Sequence, residues 1–419
     1  MEDSPAADVA RCISPQRLVH LIDALARFGA RADGGVDRQA LGAADIEAHV
    51  FLVRHAQALG CTVTLDAAGN LFLRRAGTTS GAPVATGSHI DTQPAGGKLD
   101  GAYGVCAGLE VIAALNDAGC ATRLPFDVVI WSNEEGCRFA PGSLGSKAFA
   151  EPASLATLVA ARDAAGVTYA EGVAQLEAAL ADVPVAALGG TLGLFVEAHI
   201  EQGPVLEGSE VPIGIVTGVQ GVRWFRVSAR GEAAHAGTTR LAYRRDALRT
   251  LVPLVDTLYS AAEKQPELRV TIGKIDVWPS SINTIAGEAT VTIDVRHVES
   301  GPLGEIEAIV RAYCAESRFG CALACERLMA LDTTRFDTRL ADTLRQSAGA
   351  LGLPSIDMIS GAFHDAVNTA RLCPTAMVFV PSHGGISHNP TEHTDADLLV
   401  AGTRVLAHAL TQLAGPVQH

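Results

Sequence analysis

At 419 residues the chain is too long for one ordinary hydrophobic core, so two domains are expected. Its 48% hydrophobic and 19% charged content is globular rather than disordered, and its formal net charge of −14 argues against nucleic acid and anionic membrane surfaces as partners. No apolar run is long enough to span a bilayer, the acidic start Met1-Glu2-Asp3-Ser4 does not read as a secretory leader, and nine cysteines without CxxC spacing suit reduced thiols, so a cytoplasmic location is expected.

Ser14 followed by Pro15 is a helix start, and Leu18, Leu21, Ile22 and Leu25 form one apolar stripe behind it. A second helix is expected from about Ala44 to Leu59. Short apolar strands then alternate with helices: Pro83 to Ile90 (strand), Gly101 to Ala118 (helix), Phe126 to Trp131 and Leu192 to Ile200 (strands). The Ala-rich stretch Leu155 to Ala187 reads as surface helix or loop. A different style follows, with strands at Val222 to Arg230, Leu268 to Val277 and Ala289 to Val295 and helices at Arg244 to Lys264 and Leu303 to Glu316. The first style then returns, with a helix at Thr338 to Leu351, a strand at Ala376 to Val380 and a final helix from Asp395 to Leu413. The fold class is therefore α/β: one domain with a mixed sheet flanked by helices (residues 1–213 and 330–419), interrupted by a smaller α+β domain (residues 214–329).

Four polar clusters each follow an apolar strand: Gly87-Ser88-His89-Ile90-Asp91 running on to Asp100-Gly101, Trp131-Ser132-Asn133-Glu134-Glu135-Gly136, Glu197-Ala198-His199-Ile200-Glu201-Gln202, and Ser387-His388-Asn389-Pro390. In an open α/β sheet the carboxyl ends of strands line the ligand crevice, so the four can converge. Their imidazoles and carboxylates suit Zn²⁺ or Mn²⁺. His89, Asp100, Glu135, His199 and His388 are five candidate ligands for two ions. Asp91 can accept the second ring N–H of His89, and Glu134 beside Glu135 offers a proton acceptor next to a ligand. Each feature alone has a plainer explanation: Glu134-Glu135 as a solvated pair, Asp100 before Gly101 as a turn or cap, a histidine after a strand as a surface residue. Four clusters in order, each after a strand, fit those explanations poorly.

At these residues the chain resembles the hydantoinase/carbamoylase family of di-metal amidohydrolases, which is similar to two-domain metallopeptidases and aminoacylases. The likeness runs from about Gly87 to Thr394 through GSHIDTQPAGGKLDG, WSNEEGCRF, EAHIEQGPVLE, GEAAHAGTT with RRDA, INTIAG, DVRH, SGAFHDA and PSHGGISHNPTE. The resemblance implies His89, Asp100 and His199 on one metal, Asp100, Glu135 and His388 on the other, and Glu134 as general base. It also implies His235 as a catalytic and substrate-binding histidine that stabilises the oxyanion, with Gln202, Asn283, Arg296 and Gly361 contacting substrate. The inserted domain becomes a lid that dimerises, with His235 and Asn283 acting across the homodimer interface. The implied activity is hydrolysis of the carbamoyl C–N bond of a small N-carbamoyl amino acid bearing a carboxylate, releasing ammonia, carbon dioxide and the amino acid. The alternatives are an allantoate amidohydrolase, or an aminoacylase or dipeptidase on the same two divalent ions. Two departures stand out: Phe363 in SGAFHDA, where Gly is common, and Arg240 after AGTT, where Pro is frequent. For Arg296 the plainer reading is a surface salt bridge after an edge strand, and for His235 an ordinary turn residue.

Overall fold

The computed structural model describes residues 4–417, which leaves the acidic first three residues outside it. The chain divides into two compact units, Met1–Gly218 with Arg335–His419, and Val219–Thr334. The boundaries expected at 213/214 and 329/330 therefore move. Strand Ile213–Val219 pairs with Thr375–Val380 in the large sheet, and Ala322–Leu331 pairs with Gly221–Arg230 in the small one.

The large unit holds a mixed sheet whose centre is parallel. Val84–His89 lies between Phe126–Trp131 and Leu194–Ile200, and Leu194–Ile200 pairs in turn with Thr375–Val380. Three of these four strands are buried at every position, and Leu194–Ile200 at all but its first. That is why they read as continuous apolar runs rather than alternating ones. Antiparallel strands flank this centre: Leu71–Arg75 and Thr62–Asp66 on one side, Ile213–Val219 on the other. Helix Ala102–Asp117 is buried over nearly its whole length, and the amphipathic helices Pro15–Leu25 and Ala396–Ala414 pack into the same core.

The Ala-rich stretch is more than a surface segment. Thr168 and Glu171 form a capping box for helix Tyr169–Ala179, which buries Tyr169, Val173 and Leu176. Strand Val185–Ala186 then joins the edge of the sheet beside Thr62–Asp66.

The inserted unit is a four-stranded antiparallel sheet in the order Arg269–Trp278, Glu288–His297, Gly221–Arg230, Ala322–Leu331. Its alternation is clean. Phe225, Val227, Val291, Ile293 and Val295 face helices Ala247–Ala262 and Ser300–Cys314, while Arg226, Ser228, Thr290, Thr292 and Arg296 face away. The edge strand Ala322–Leu331 escapes sequence reading because ALACERLMAL is built of good helix formers; only its pairing with Gly221–Arg230 makes it a strand.

Candidate metal centre

The parallel strands end together, and their carboxyl ends carry the polar clusters. Val84–His89 and Phe126–Trp131 are in register at His89 and Trp131, and Leu194–Ile200 and Thr375–Val380 at His199 and Phe379. Beyond Trp131 the chain turns sharply. Asn133 has φ 55°, and left-handed backbone recurs at Gln202 (φ 58°) and His388 (φ 53°). Such conformations are costly for non-glycine residues and cluster where a site over-determines them.

Asp100 is the centre of the arrangement. Its Oδ1 lies 3.2 Å from His199 Nε2 and 3.8 Å from His89 Nε2, while Oδ2 lies 3.1 Å from His388 Nε2. Glu135 Oε2 is 3.4 Å from the same His388 nitrogen. One carboxylate thus faces two groups that could each hold a cation: His89, Asp100 and His199 on one side, Asp100, Glu135 and His388 on the other. The first group is fully buried, and the site opens towards half-exposed His388. Two imidazoles per carboxylate on one side and one imidazole with two carboxylates on the other make a donor set suited to Zn²⁺ or Mn²⁺.

Glu134 Oε2 stands 3.7 Å from His89 Nε2, and Ser143 Oγ donates to its Oε1 at 3.3 Å. Burial, reinforced by Asp365 and Glu135, holds the Glu134 carboxyl well above the usual range against the pull of His89. Burial and Asp100 push Glu135 up to about 7. Burial opposes protonation of His89, but Glu134, Asp91 and Asp100 outweigh it and hold that imidazole well above its ordinary value. A hydrogen bond donated to Asp100 pushes His388 up to about 9. Carboxylates this crowded and this buried call for positive charge among them, which is the environment a divalent cation fits.

The supporting contacts differ in one respect from the sequence reading. His89 Nδ1 bonds the backbone carbonyl of Asp91 at 2.9 Å, while the Asp91 carboxylate is 3.6 Å from it. That carboxylate instead accepts the amides of Glu134 and Glu135 at 3.1 and 3.2 Å. Asp91 therefore orients the ring through its main chain and the Glu pair through its side chain. Gln202 Nε2 donates to Asp100 Oδ2 at 3.0 Å and to Ser387 Oγ at 3.2 Å, at the rim of the same cluster.

Sequence reasoning passed over Glu392. It is buried; its Oε1 accepts the amides of Leu99 and Asp100 at 2.9 and 3.1 Å, and its Oε2 accepts Ser387 Oγ at 2.8 Å. The signal was present in NPTE, but a lone Glu after a turn has no distinctive spacing. His364 is buried and stacks edge-on with His199 at 4.6 Å, and a Cβ on Gly101 would fall 2.4 Å from His89 Nε2, so only glycine fits there. Gly361 lies in the loop after strand Ser355–Ser360 of the same unit.

The other expected contacts lie in the inserted unit. His235 and Asn283 come together: the strand of His235 pairs with Thr284, and the Ala236 amide bonds the Asn283 carbonyl at 2.9 Å. His235 Nδ1 accepts the amides of Gly237 and Thr238 at 3.1 and 3.3 Å, which leaves the ring proton on Nε2 as an outward donor. Arg296 is on an interior strand rather than after an edge strand, and its guanidinium pairs with Asp294 through contacts of 3.0 to 3.2 Å.

Known proteins of similar sequence and structure carry related chemistry. The model of the family described as Peptidase family M20/M25/M40 matches residues 85–412. An N-carbamoyl-L-amino-acid amidohydrolase of Rhizobium meliloti is 35% identical over 412 residues, covering 97% of this chain and 98% of its own. An allantoate amidohydrolase of Bacillus subtilis (strain 168) is 36% identical over 408 residues, covering 94% and 96%. The crystal structure of an amidase of the hydantoinase/carbamoylase family from Burkholderia multivorans superimposes with a TM-score of 0.89 at 41% identity, covering 97% of this chain and 99% of that one.

Proposed function

The chain belongs to the peptidase family M20/M25/M40, among its hydantoinase/carbamoylase amidases, and from that premise we propose that it hydrolyses the carbamoyl C–N bond of a small N-carbamoyl amino acid. The observation that carries the reading is the Asp100 carboxylate, which offers one oxygen to His89 and His199 and the other to His388, with Glu134 on the His89 side. Asp100 would be shared by two ions, with His89 and His199 completing one set and Glu135 and His388 the other. Bound divalent ions supply Lewis acidity, acidifying water and polarising the carbonyl oxygen.

The protein's own groups do the rest. Glu134 takes a proton from the attacking water and passes it to the leaving nitrogen. His235, with its proton on Nε2, donates to the oxyanion. Gln202, Asn283, Arg296 and Gly361 orient the substrate. Arg296 offers the planar fork that suits a substrate carboxylate, which would displace Asp294 from it. The carbamate released then decomposes to carbon dioxide and ammonia.

The inserted unit is proposed as the dimerising lid. Leu248, Val252, Val255 and Tyr259 of helix Ala247–Ala262 border an apolar groove with Ile275 of the edge strand, a face suited to a second copy. Light scattering should find a dimer, and Val252→Glu should shift it towards monomer. Nine unpaired thiols support a reducing, cytoplasmic setting; among the described residues no helix is long and apolar enough to cross a membrane.

The deciding experiment is metal analysis joined to an ammonia-release screen over N-carbamoyl-α-amino acids, N-carbamoyl-β-alanine and allantoate. Turnover of allantoate alone would move the assignment to the allantoate amidohydrolases, which the Bacillus relative supports equally well. Cleavage of N-acyl amino acids or dipeptides with no ammonia from any ureido compound would overturn it.

A further inference from the structure

The residues joining His89 to Asp100 have no helix or strand of their own beyond a single bridge at Gly96. They are held from outside by residues 31–38. Val36 and Gly96 exchange backbone hydrogen bonds at 3.0 and 3.1 Å, and Arg31 Nη1 donates to the Pro94 carbonyl at 2.9 Å. The Thr92 amide donates to the Arg38 carbonyl at 2.9 Å, and the Arg38 amide to Thr92 Oγ1 at 2.9 Å. The Arg38 side chain is 0% exposed. Its Nε donates to the Ile90 carbonyl at 2.7 Å, and its Nη1 to the carbonyls of Leu25 and Phe28 at 2.9 Å each.

This placement is specific. The Arg38 side chain grips Ile90 and the Arg38 main chain grips Thr92, the residues on either side of Asp91. Asp91 in turn holds the His89 ring through its carbonyl and the Glu134 and Glu135 amides through its carboxylate. A planar guanidinium can satisfy carbonyls from two separate segments at fixed angles, which a single ammonium cannot. Burying that charge is costly and needs a return. Arg38 also lies outside the stretch of residues 85–412 that the family model matches.

We propose that Arg38 is a positioning residue of the metal centre: it fixes the Ile90–Thr92 turn so that Asp91 can orient His89 on one side and the Glu134–Glu135 pair on the other. The N-terminal segment is on this view part of the site's frame rather than an appendage. The inference rests on the metal-centre reading above, but not on the identity of the substrate.

The test is Zn²⁺ affinity, measured by chelator competition, for Arg38→Lys and Arg38→Met, together with amide hydrogen exchange on the metal-free proteins. Arg17→Ala is the control. Arg17 bonds Glu110 at 2.8 and 2.9 Å, anchoring helix Pro15–Leu25 to helix Ala102–Asp117 without touching the turn. Both Arg38 variants should weaken Zn²⁺ binding by about 10–100-fold, with Met the worse, and should lower kcat more than they raise KM. Residues 92 and 96 should lose exchange protection. Arg17→Ala should melt at lower temperature yet bind Zn²⁺ as the wild type does. If Arg38→Met does not fold, Arg38→Lys decides. Wild-type affinity and exchange in Arg38→Lys, or an equal loss of affinity in Arg17→Ala, would overturn the proposal. Affinity is read without substrate, so a protein that binds Zn²⁺ but releases no ammonia would refute the ureidohydrolase reading alone.

Discussion

Asp100 and Glu392 in the large unit are buried, and Glu134 and Glu135 nearly so, whereas Glu232, Glu288 and Glu326 in the inserted unit stand in solvent beside arginines. The large unit concentrates carboxyl groups in its interior and fastens them with amides: Asp91 takes two, and Glu392 takes two more with a hydroxyl. The inserted unit keeps Glu232, Glu288 and Glu326 outside, and its expected functional groups, His235 and Arg296, sit on exposed or half-exposed surface. The difference teaches a division of labour. The proposed cation ligands all stand in the large unit. Of the residues proposed to handle substrate, His235, Asn283 and Arg296 stand in the insert, while Gln202 and Gly361 stand in the large unit.

The hardest blow to that division would come from Glu134→Gln. It should lower kcat by about 10²–10⁴-fold with metal content intact, as read by ammonia release beside metal analysis; near-wild-type turnover would remove Glu134 from the chemistry. His235→Ala should cost about 10²–10³-fold in kcat while leaving metal affinity untouched, since His235 and the proposed ligands stand in different units. A matching loss of metal affinity would erase the distinction. Glu392→Ala strips the Leu99 and Asp100 amides of their acceptor and should weaken metal binding by about 10–100-fold in chelator competition, the reverse pattern from His235→Ala.

The smallest expected effect is on pH and stability, and it too separates the units. Burial pushes Asp66 of the large unit up to about 6. Its folded state therefore binds a proton more readily than the unfolded chain, whose aspartates titrate near 4. The wild type should be favoured most over Asp66→Asn below about pH 4, and that advantage should fall as pH rises towards 6 and then level off. Glu307 of the inserted unit behaves oppositely: although burial opposes it, Arg311 and Arg327 hold its carboxyl below the usual range. Its contribution is present above the ordinary glutamate range and fades as pH falls, so Glu307→Gln should matter least in acid. Thermal melts from pH 2 to 7 should separate the two: the Asp66 advantage fades as pH rises between about 4 and 6, and the Glu307 advantage fades as pH falls below the ordinary glutamate range.

Much of the site was legible because each chemical cluster follows an apolar strand, and strand ends in a parallel sheet share one edge. His89, Glu134, Glu135 and His199 needed only that rule. Arg38 and Glu392 were not legible: an arginine that bonds main-chain carbonyls and a glutamate that accepts amides leave no spacing in the sequence, because their partners are peptide groups common to every residue. The strand Ala322–Leu331 failed for a related reason, its helix-forming residues being overruled by pairing. The Asp91 contact failed by one bond, since proximity in sequence cannot tell a carbonyl from a carboxylate.

The amino-acid order alone determined the alternation of strands and helices, the interruption by a second unit and the residue types of the centre, because hydrophobic periodicity and ligand chemistry are local properties. Tertiary structure alone decided that Asp100 turns one oxygen to each cluster, that Asp91 works through two different groups, and that a buried arginine from the N-terminal segment frames the site. Those are facts about distance and direction between segments far apart in the chain, and they exist only once the sheet has closed around its core.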